Sequence, residues 1–197
     1  MSALVLAIDG PSGSGKSSTA KAIALRANWS YLDTGALYRA VTLLALENKV
    51  SDEESLLSLL QQNEISFLTD PAKPQVFLNG SDVSTEIRLQ RINDHVSQIS
   101  AMPGVRKVLL DIQRKYISEA PIGIVVEGRD IATVVAPNAQ LKIYLHADID
   151  ARVKRREGEM SELVKSEVVE KSLARRDEID SNRTVSPLAQ ADDAAVI

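Results

Sequence analysis

Between the apolar run Leu4–Ile8 and a helical pattern from Ser17 to Asn28 lies Gly10-Pro11-Ser12-Gly13-Ser14-Gly15-Lys16-Ser17, which satisfies G-x-x-x-x-G-K-[ST] at every position. The glycines permit a tight turn whose main-chain N–H groups point inward, and the helix behind it adds the positive end of its dipole. Lys16 contributes a full charge, and Ser17, with Ser18 just behind it, offers a hydroxyl suited to Mg²⁺. Residues 10–18 are therefore the candidate ATP-binding loop, with Ser17 the candidate metal ligand. The pattern predicts a bound nucleoside triphosphate and is silent on the fate of its γ-phosphate.

The context is strand, loop, helix, the first half of a βαβ unit. Further along, Ser30–Leu32, Ile122–Val126 and Leu141–Leu145 read as short buried strands, and the final Asp-Asp-Ala-Ala-Val-Ile as the start of another. Helical spacing covers Gly35–Glu47, Leu89–Ser100 and Val105–Ile117, and Ser51 with Glu54 reads as a capping box before Leu56. From Glu64 to Val83 the period changes to alternation, with Asn79-Gly80 as a hairpin turn. A charged, mixed-sign helical stretch runs from Asp150 to Glu178, with a break near Gly158. The expected fold is α/β: a parallel sheet covered by helices on both faces, with a small inserted β segment.

With 197 residues, the chain suits a single domain able to bury its own core. It has no cysteine, which excludes disulfides and thiolate chemistry, and His95 and His146 have no metal-ligand spacing. Lys plus Arg number 23 against 27 Asp plus Glu, and aromatics make up 4%, so a nucleic-acid partner is not expected. No window approaches a membrane span, and no basic leader precedes an apolar stretch, so the cytoplasm is the expected compartment.

Among chains with this loop, a switch GTPase would need a base-reading Asn-Lys-x-Asp segment, which is missing. An ATP-driven motor carries a Walker-B acid after an apolar strand. Here Ile122–Val126 runs into Glu127-Gly128-Arg129-Asp130, and an arginine at a strand's carboxyl end faces the crevice where open α/β sheets bind ligands. That favours a second anionic substrate over a hydrolytic water. Arginine's planar fork suits phosphate oxygens, and Arg39, Arg129 and Arg183 stand out through their neighbours. Lys154, Arg155 and Arg175 read as a solvated helix face. On the residues alone, two other readings stay open: a kinase for another nucleotide or small metabolite, and a nucleotide-binding regulatory domain without transferase activity.

Leu-Asp-Thr-Gly-Ala-Leu-Tyr-Arg at 32–39, Glu-Gly-Arg-Asp-Ile-Ala-Thr-Val-Val at 127–135 and the segment from Arg175 to Leu188 resemble, in order and separation, those of bacterial cytidylate kinases. The resemblance spans nearly the whole chain. It implies a core of about 1–34, 104–150 and 180–197, a monophosphate-binding region with the β insert at about 35–103, and a lid at about 151–179. It implies phosphoryl transfer from MgATP to CMP or dCMP, with Lys16, Arg129, Arg156 and Arg183 in the catalytic set. By the same resemblance Arg39, Arg129 and Arg183 grip the CMP phosphate, Thr34, Arg106 and Asp130 read cytosine, and Ser97, Arg176 and Asp180 surround the sugar. Arg152 and Arg156 belong beside ATP, and their i,i+4 spacing puts them on one helix face. Simpler roles compete: Asp33 or Thr34 as a helix cap, Asp130 as a turn residue, Asp180 as a local partner of Arg176. Some relatives have a lid a few residues longer, and relatives continue past Ile197 through the rest of a strand, a turn that contacts adenine and a final helix. A monomer is compatible with this family, and the sequence identifies no interface.

Overall fold

The computed structural model describes residues 3–159 and 166–197. In chain order the first elements are β1 (Leu4–Asp9), α1 (Lys16–Ala27), β2 (Ser30–Asp33), α2 (Thr34–Glu47) and α3 (Glu53–Gln62). The insert follows as β3 (Ile65–Leu68), β4 (Gln75–Leu78) and β5 (Ser81–Asp82), then α4 (Gln90–Ser100) and α5 (Pro103–Ser118). The chain returns through β6 (Gly123–Glu127) and β7 (Leu141–Tyr144), and continues as α6 (Ile149–Glu159), α7 (Ser166–Ser181) and β8 (Ala195–Val196).

The main sheet is parallel, in the order β2-β6-β1-β7-β8. Its strands are apolar along their length because both faces are covered. On one side Val5, Ala7, Leu32, Ile124 and Val126 pack with Ile131 and Val135 and against Leu110 and Ile117 of α5. On the other, Leu6, Ile8, Tyr31, Val125 and Ile143 meet Ala20 and Ala24, whose small side chains let α1 lie close to the sheet. Each large apolar side chain buried in this way contributes about 1.5–3 kcal/mol. Because β6 and β7 flank β1, the loops after β1 and β6 emerge side by side at the carboxyl edge of the sheet, where such folds bind ligands.

A third apolar cluster joins α2, α3, α4 and α5 to the insert through Leu37, Val41, Leu56, Ile65, Val76, Leu78, Ile92 and Leu109. The insert is an antiparallel β3-β4-β5 sheet. Its Asn79-Gly80 turn has φ of 51° and 79° at the two positions, the mirror-image geometry that matches strand twist. Among the described residues α6 and α7 share a small core of Val153, Val169, Leu173 and Ile149, and polar contacts add to their attachment to the rest.

One expectation needs correction. The cap of α3 is Asp52, not Ser51: its Oδ1 accepts from the Ser55 N–H at 2.9 Å. Asp52 has the extended backbone of a cap residue and adds negative charge at the positive end of the dipole. α6 ends at Glu159, one residue past Gly158, and α7 begins at Ser166; the expected break falls at 160–165, outside the described residues. A 3₁₀ turn at Glu86–Arg88 and a π turn at Ile131–Val135 have no simple sequence period. Among the described residues no helix is long and apolar enough to cross a membrane.

Candidate active site

The glycine-rich loop links β1 to α1 as the motif requires. Gly15 caps the helix with φ of 95°, a left-handed conformation, and a Cβ on Gly10 would stand 2.2 Å from the Leu145 carbonyl oxygen. Lys16 is buried, with Nζ donating to the Pro11 carbonyl at 2.7 Å. Its pKa is lowered to about 7, first by burial and then by the charge of Arg129, while Glu127, Asp9 and Asp33 work in the opposite direction. This ammonium is short of negative charge.

Beside it the Ser17 hydroxyl donates to Glu127 Oε2 at 3.0 Å, and the Tyr31 hydroxyl donates to Glu127 Oε1. Burial, followed by the charge of Asp33, pushes the Glu127 carboxyl up, against Lys16 and its two hydroxyl donors. The sequence reading treated the segment after Val126 as a departure from the acid-after-strand pattern. The structure corrects this: Glu127 is the last residue of β6, in register with Ile8 and Asp33, and its carboxylate faces the loop's serine. An acid ending a buried apolar run was the available signal.

Asp9, at the end of β1, accepts from the Ile131 and Ala132 N–H groups at 2.9 and 2.8 Å and so positions the turn that follows Arg129 and Asp130. Sequence reading did not single it out.

The predicted acceptor residues fall into three connected groups. Asp130 pairs with Arg106 at 2.5 Å, and that guanidinium also donates to the Ser100 carbonyl and lies 5.3 Å from the centre of the Tyr38 ring. Arg129 Nε donates to Asp180 Oδ2 at 2.9 Å, and Arg183 Nη1 stands 3.7 Å from Asp180 Oδ1. Asp180 thus pairs with Arg129 and Arg183; no ion pair joins it to Arg176, as the simpler reading would have had it. Arg39, from α2, donates to the Ile87 carbonyl at 3.1 Å and to Asn93 Oδ1 at 2.7 Å, and Arg176, from α7, donates to the Asn93 carbonyl at 3.2 Å. Ser97 lies one turn further along α4 and is half-buried.

These half-buried cations feel one another's charge. Arg39 is lowered to about 9 by burial, then by Arg176 and Arg88, and Arg176 is lowered to about 10 by burial, then by Arg129. Burial likewise lowers Arg183, with Asp180 opposing. The buried Arg183 Nη2 and Arg106 Nε have no hydrogen-bond partner, so both are donors without an acceptor. Asp33 caps α2 by accepting from the Ala36 N–H and pairs with Arg88 at 2.6 Å, while Thr34 instead donates to the Glu127 carbonyl at 2.7 Å. Burial opposes ionisation of Asp33, but Arg88, Arg39 and the Ala36 N–H outweigh it and lower its pKa.

The α6–α7 pair rests on the glycine-rich loop. Arg152 is buried, donates to the Ser12 carbonyl at 3.1 Å and pairs with Asp177, whose other oxygen accepts from the Ser12 N–H at 3.2 Å. Arg155 is exposed, as a solvated face requires, yet it also donates to the Gly13 carbonyl at 3.2 Å. Its side chain reaches the loop because α6 lies across it, which a one-dimensional pattern does not encode. Asp177 had no sequence signal for the same reason. Arg156 is half-buried and adds to the field at Arg39 and Arg176. Ser18 is exposed, with its hydroxyl turned to the Gly15 carbonyl.

Lys16 of the loop thus lies within reach of the charge of Arg129, which also acts on Arg176, and Arg176 in turn acts on Arg39. A family model described as Cytidylate kinase matches residues 6–197. A cytidylate kinase of Streptomyces avermitilis is 46% identical over 197 residues, covering 99% of this chain and 85% of that protein. Those of Streptococcus pneumoniae and Carboxydothermus hydrogenoformans are 45% and 42% identical, covering 100% and 98% of this chain and 90% and 88% of theirs. With all of these residues inside the matched span, the chain belongs to the cytidylate kinase family.

Proposed function

We propose that this chain transfers the γ-phosphoryl group of MgATP to CMP or dCMP, giving ADP and CDP or dCDP. The observation that carries the site assignment is the clustering of guanidiniums: Arg129 and Arg183 meet at Asp180, Arg39 and Arg176 meet at Asn93, and the charge of Arg129 reaches Lys16 of the loop. Such an array is costly when empty and is relieved by two polyanions, so binding energy goes directly into positioning donor and acceptor.

The loop amides and Lys16 hold the β- and γ-phosphates of ATP, with Arg152 and Arg156 closing over them. The Ser17 hydroxyl and Glu127 carboxylate are oxygen donors 3.0 Å apart, a hard set that fits Mg²⁺. Bound there, Mg²⁺ would offset charge on the phosphates. Arg39, Arg129 and Arg183 grip the acceptor phosphate. Thr34, Arg106 and Asp130 read the base: the carboxylate accepts from the cytosine amino group and the guanidinium donates to its O2/N3 edge. Ser97, Arg176 and Asp180 face the sugar. No general base is required, because the acceptor phosphate is already anionic near neutral pH, and transfer is direct and in line. The regions 35–103 and 151–179 close on the core as monophosphate-binding region and lid, expelling the water that would otherwise hydrolyse ATP. Every residue in this scheme comes from one chain, so a monomer suffices, and a reaction that draws on ATP belongs in the cytoplasm.

An ADP-release assay coupled to NADH oxidation, run with CMP, dCMP, UMP, AMP and small hydroxy acids as acceptors, tests the assignment. CMP and dCMP should give the highest kcat/KM. A clear preference for UMP, AMP or a hydroxy acid would overturn it.

A further inference from the structure

Asn93 lies where the acceptor-side arginines meet, yet no step above uses it. It is half-buried on α4. Its side-chain oxygen accepts from Arg39 Nη1 at 2.7 Å, its main-chain oxygen accepts from Arg176 Nη2 at 3.2 Å, and its Nδ2 donates to the Arg88 carbonyl at 3.4 Å. A single residue thus joins the arginine of α2, the arginine of α7 and the turn between insert and α4.

The partners' chemistry is as telling as their number. Arg106, Arg129 and Arg183 are each set against a carboxylate, Asp130 or Asp180. The contacts of Arg39 are with uncharged oxygens, the Ile87 carbonyl and the Asn93 amide. Asp33, the carboxylate whose charge Arg39 senses, is held by Arg88. An amide oxygen directs a guanidinium through a hydrogen bond without cancelling its charge. A carboxylate in the same place would form an ion pair and compete with an incoming phosphate.

We propose that Asn93 is a positioning residue that holds Arg39 beside Arg176 through neutral acceptors, leaving the charge of Arg39 for the anionic acceptor substrate. Because its partners sit on α2 and α7, it also ties the placement of one arginine to the other. This rests on the assignment of Arg39 to the acceptor site.

The test compares the parent with Asn93→Ala, Asn93→Asp and Arg39→Ala, measuring KM for CMP, KM for ATP, kcat, CMP affinity by calorimetry and the thermal midpoint. Asn93→Ala should raise the KM for CMP about tenfold, the effect of losing one hydrogen bond to a charged group, with the KM for ATP within about twofold of the parent. Asn93→Asp should be worse than Asn93→Ala for CMP although it keeps an acceptor, because it neutralises Arg39. If Arg39→Ala raises the KM for CMP and Asn93→Ala does not, Asn93 is idle and the inference fails while the site assignment survives. Parental CMP affinity in Asn93→Asp would overturn the argument from neutrality. A lower midpoint with equal losses for both substrates would reduce Asn93 to a structural residue. If Arg39→Ala itself leaves CMP affinity unchanged, the assignment fails and this inference with it.

Discussion

Replacing Asp9 with Asn removes a charge from the core and, in the same change, mismatches a pair of hydrogen bonds. Asp9 is 1% exposed, and its two oxygens each accept a main-chain N–H, at 2.9 Å from Ile131 and 2.8 Å from Ala132. An amide offers one acceptor, so its NH₂ would face an N–H and leave a buried donor unmatched, at about 1–3 kcal/mol. In the opposite direction, burial raises the Asp9 carboxyl from 3.8 to about 6, aided by the charge of Asp130 and opposed by the two N–H groups and Lys16. The native state therefore keeps this proton up to about pH 6, whereas the unfolded chain releases it near 3.8. Between those values the folded form binds more protons and stability falls as pH rises. The contribution is fully present below the unfolded pKa and lost above the folded one, in all about 3 kcal/mol at roughly 1.4 kcal/mol per pH unit. Near pH 7 the two effects offset, and Asp9→Asn should unfold within about 2 kcal/mol of the parent. Near pH 4 the parent should lead by about 2.4 kcal/mol more, most of the full contribution. Urea unfolding of both proteins, followed by circular dichroism from about pH 4 to pH 7, gives the difference curve. Parallel stability profiles across that range would refute the reasoning, since they would mean that Asp9 titrates alike in folded and unfolded chains.

Arg129→Ala should lower kcat by about 100- to 1000-fold, the usual effect of deleting a cation that meets the transferring phosphoryl group. The fold should persist, because Asp180 keeps Arg183 at 3.7 Å; a near-parental rate would remove Arg129 from the chemistry. Gly123→Ala would place a Cβ 2.5 Å from Cδ2 of the Trp29 ring at the start of β6 and should cost about 1–3 kcal/mol in chemical denaturation, with KM values for both nucleotides unchanged. An unaltered midpoint would show that the indole ring shifts freely.

Where function depends on local pattern, the sequence was informative. The loop at 10–17 is read from glycine spacing and its flanking strand and helix, because the amides proposed to hold phosphate belong to those same residues. Glu127 was partly legible as the acid closing an apolar strand, but its role appears only once β6 lies beside β1 and its carboxylate meets Ser17. Arg155 and Asp177 were not legible at all, since their contacts with Gly13 and Ser12 exist only because α6 and α7 settle on the loop. The capping of α3 was mistaken by one position, because Ser51 and Asp52 are both good caps and the backbone entering the helix selects between them.

The sequence by itself determined the α/β class, the phosphate loop and the resemblance that picks out the arginines, all carried by short-range periodicity and by contiguous motifs. Which guanidiniums face a carboxylate and which an uncharged oxygen was decided only by the tertiary structure. Arg129 is set against Asp180, while Arg39 is held by an amide oxygen from α4. Charge interaction and desolvation depend on separation and burial in space, and residues fifty or a hundred positions apart acquire both only when the chain has folded.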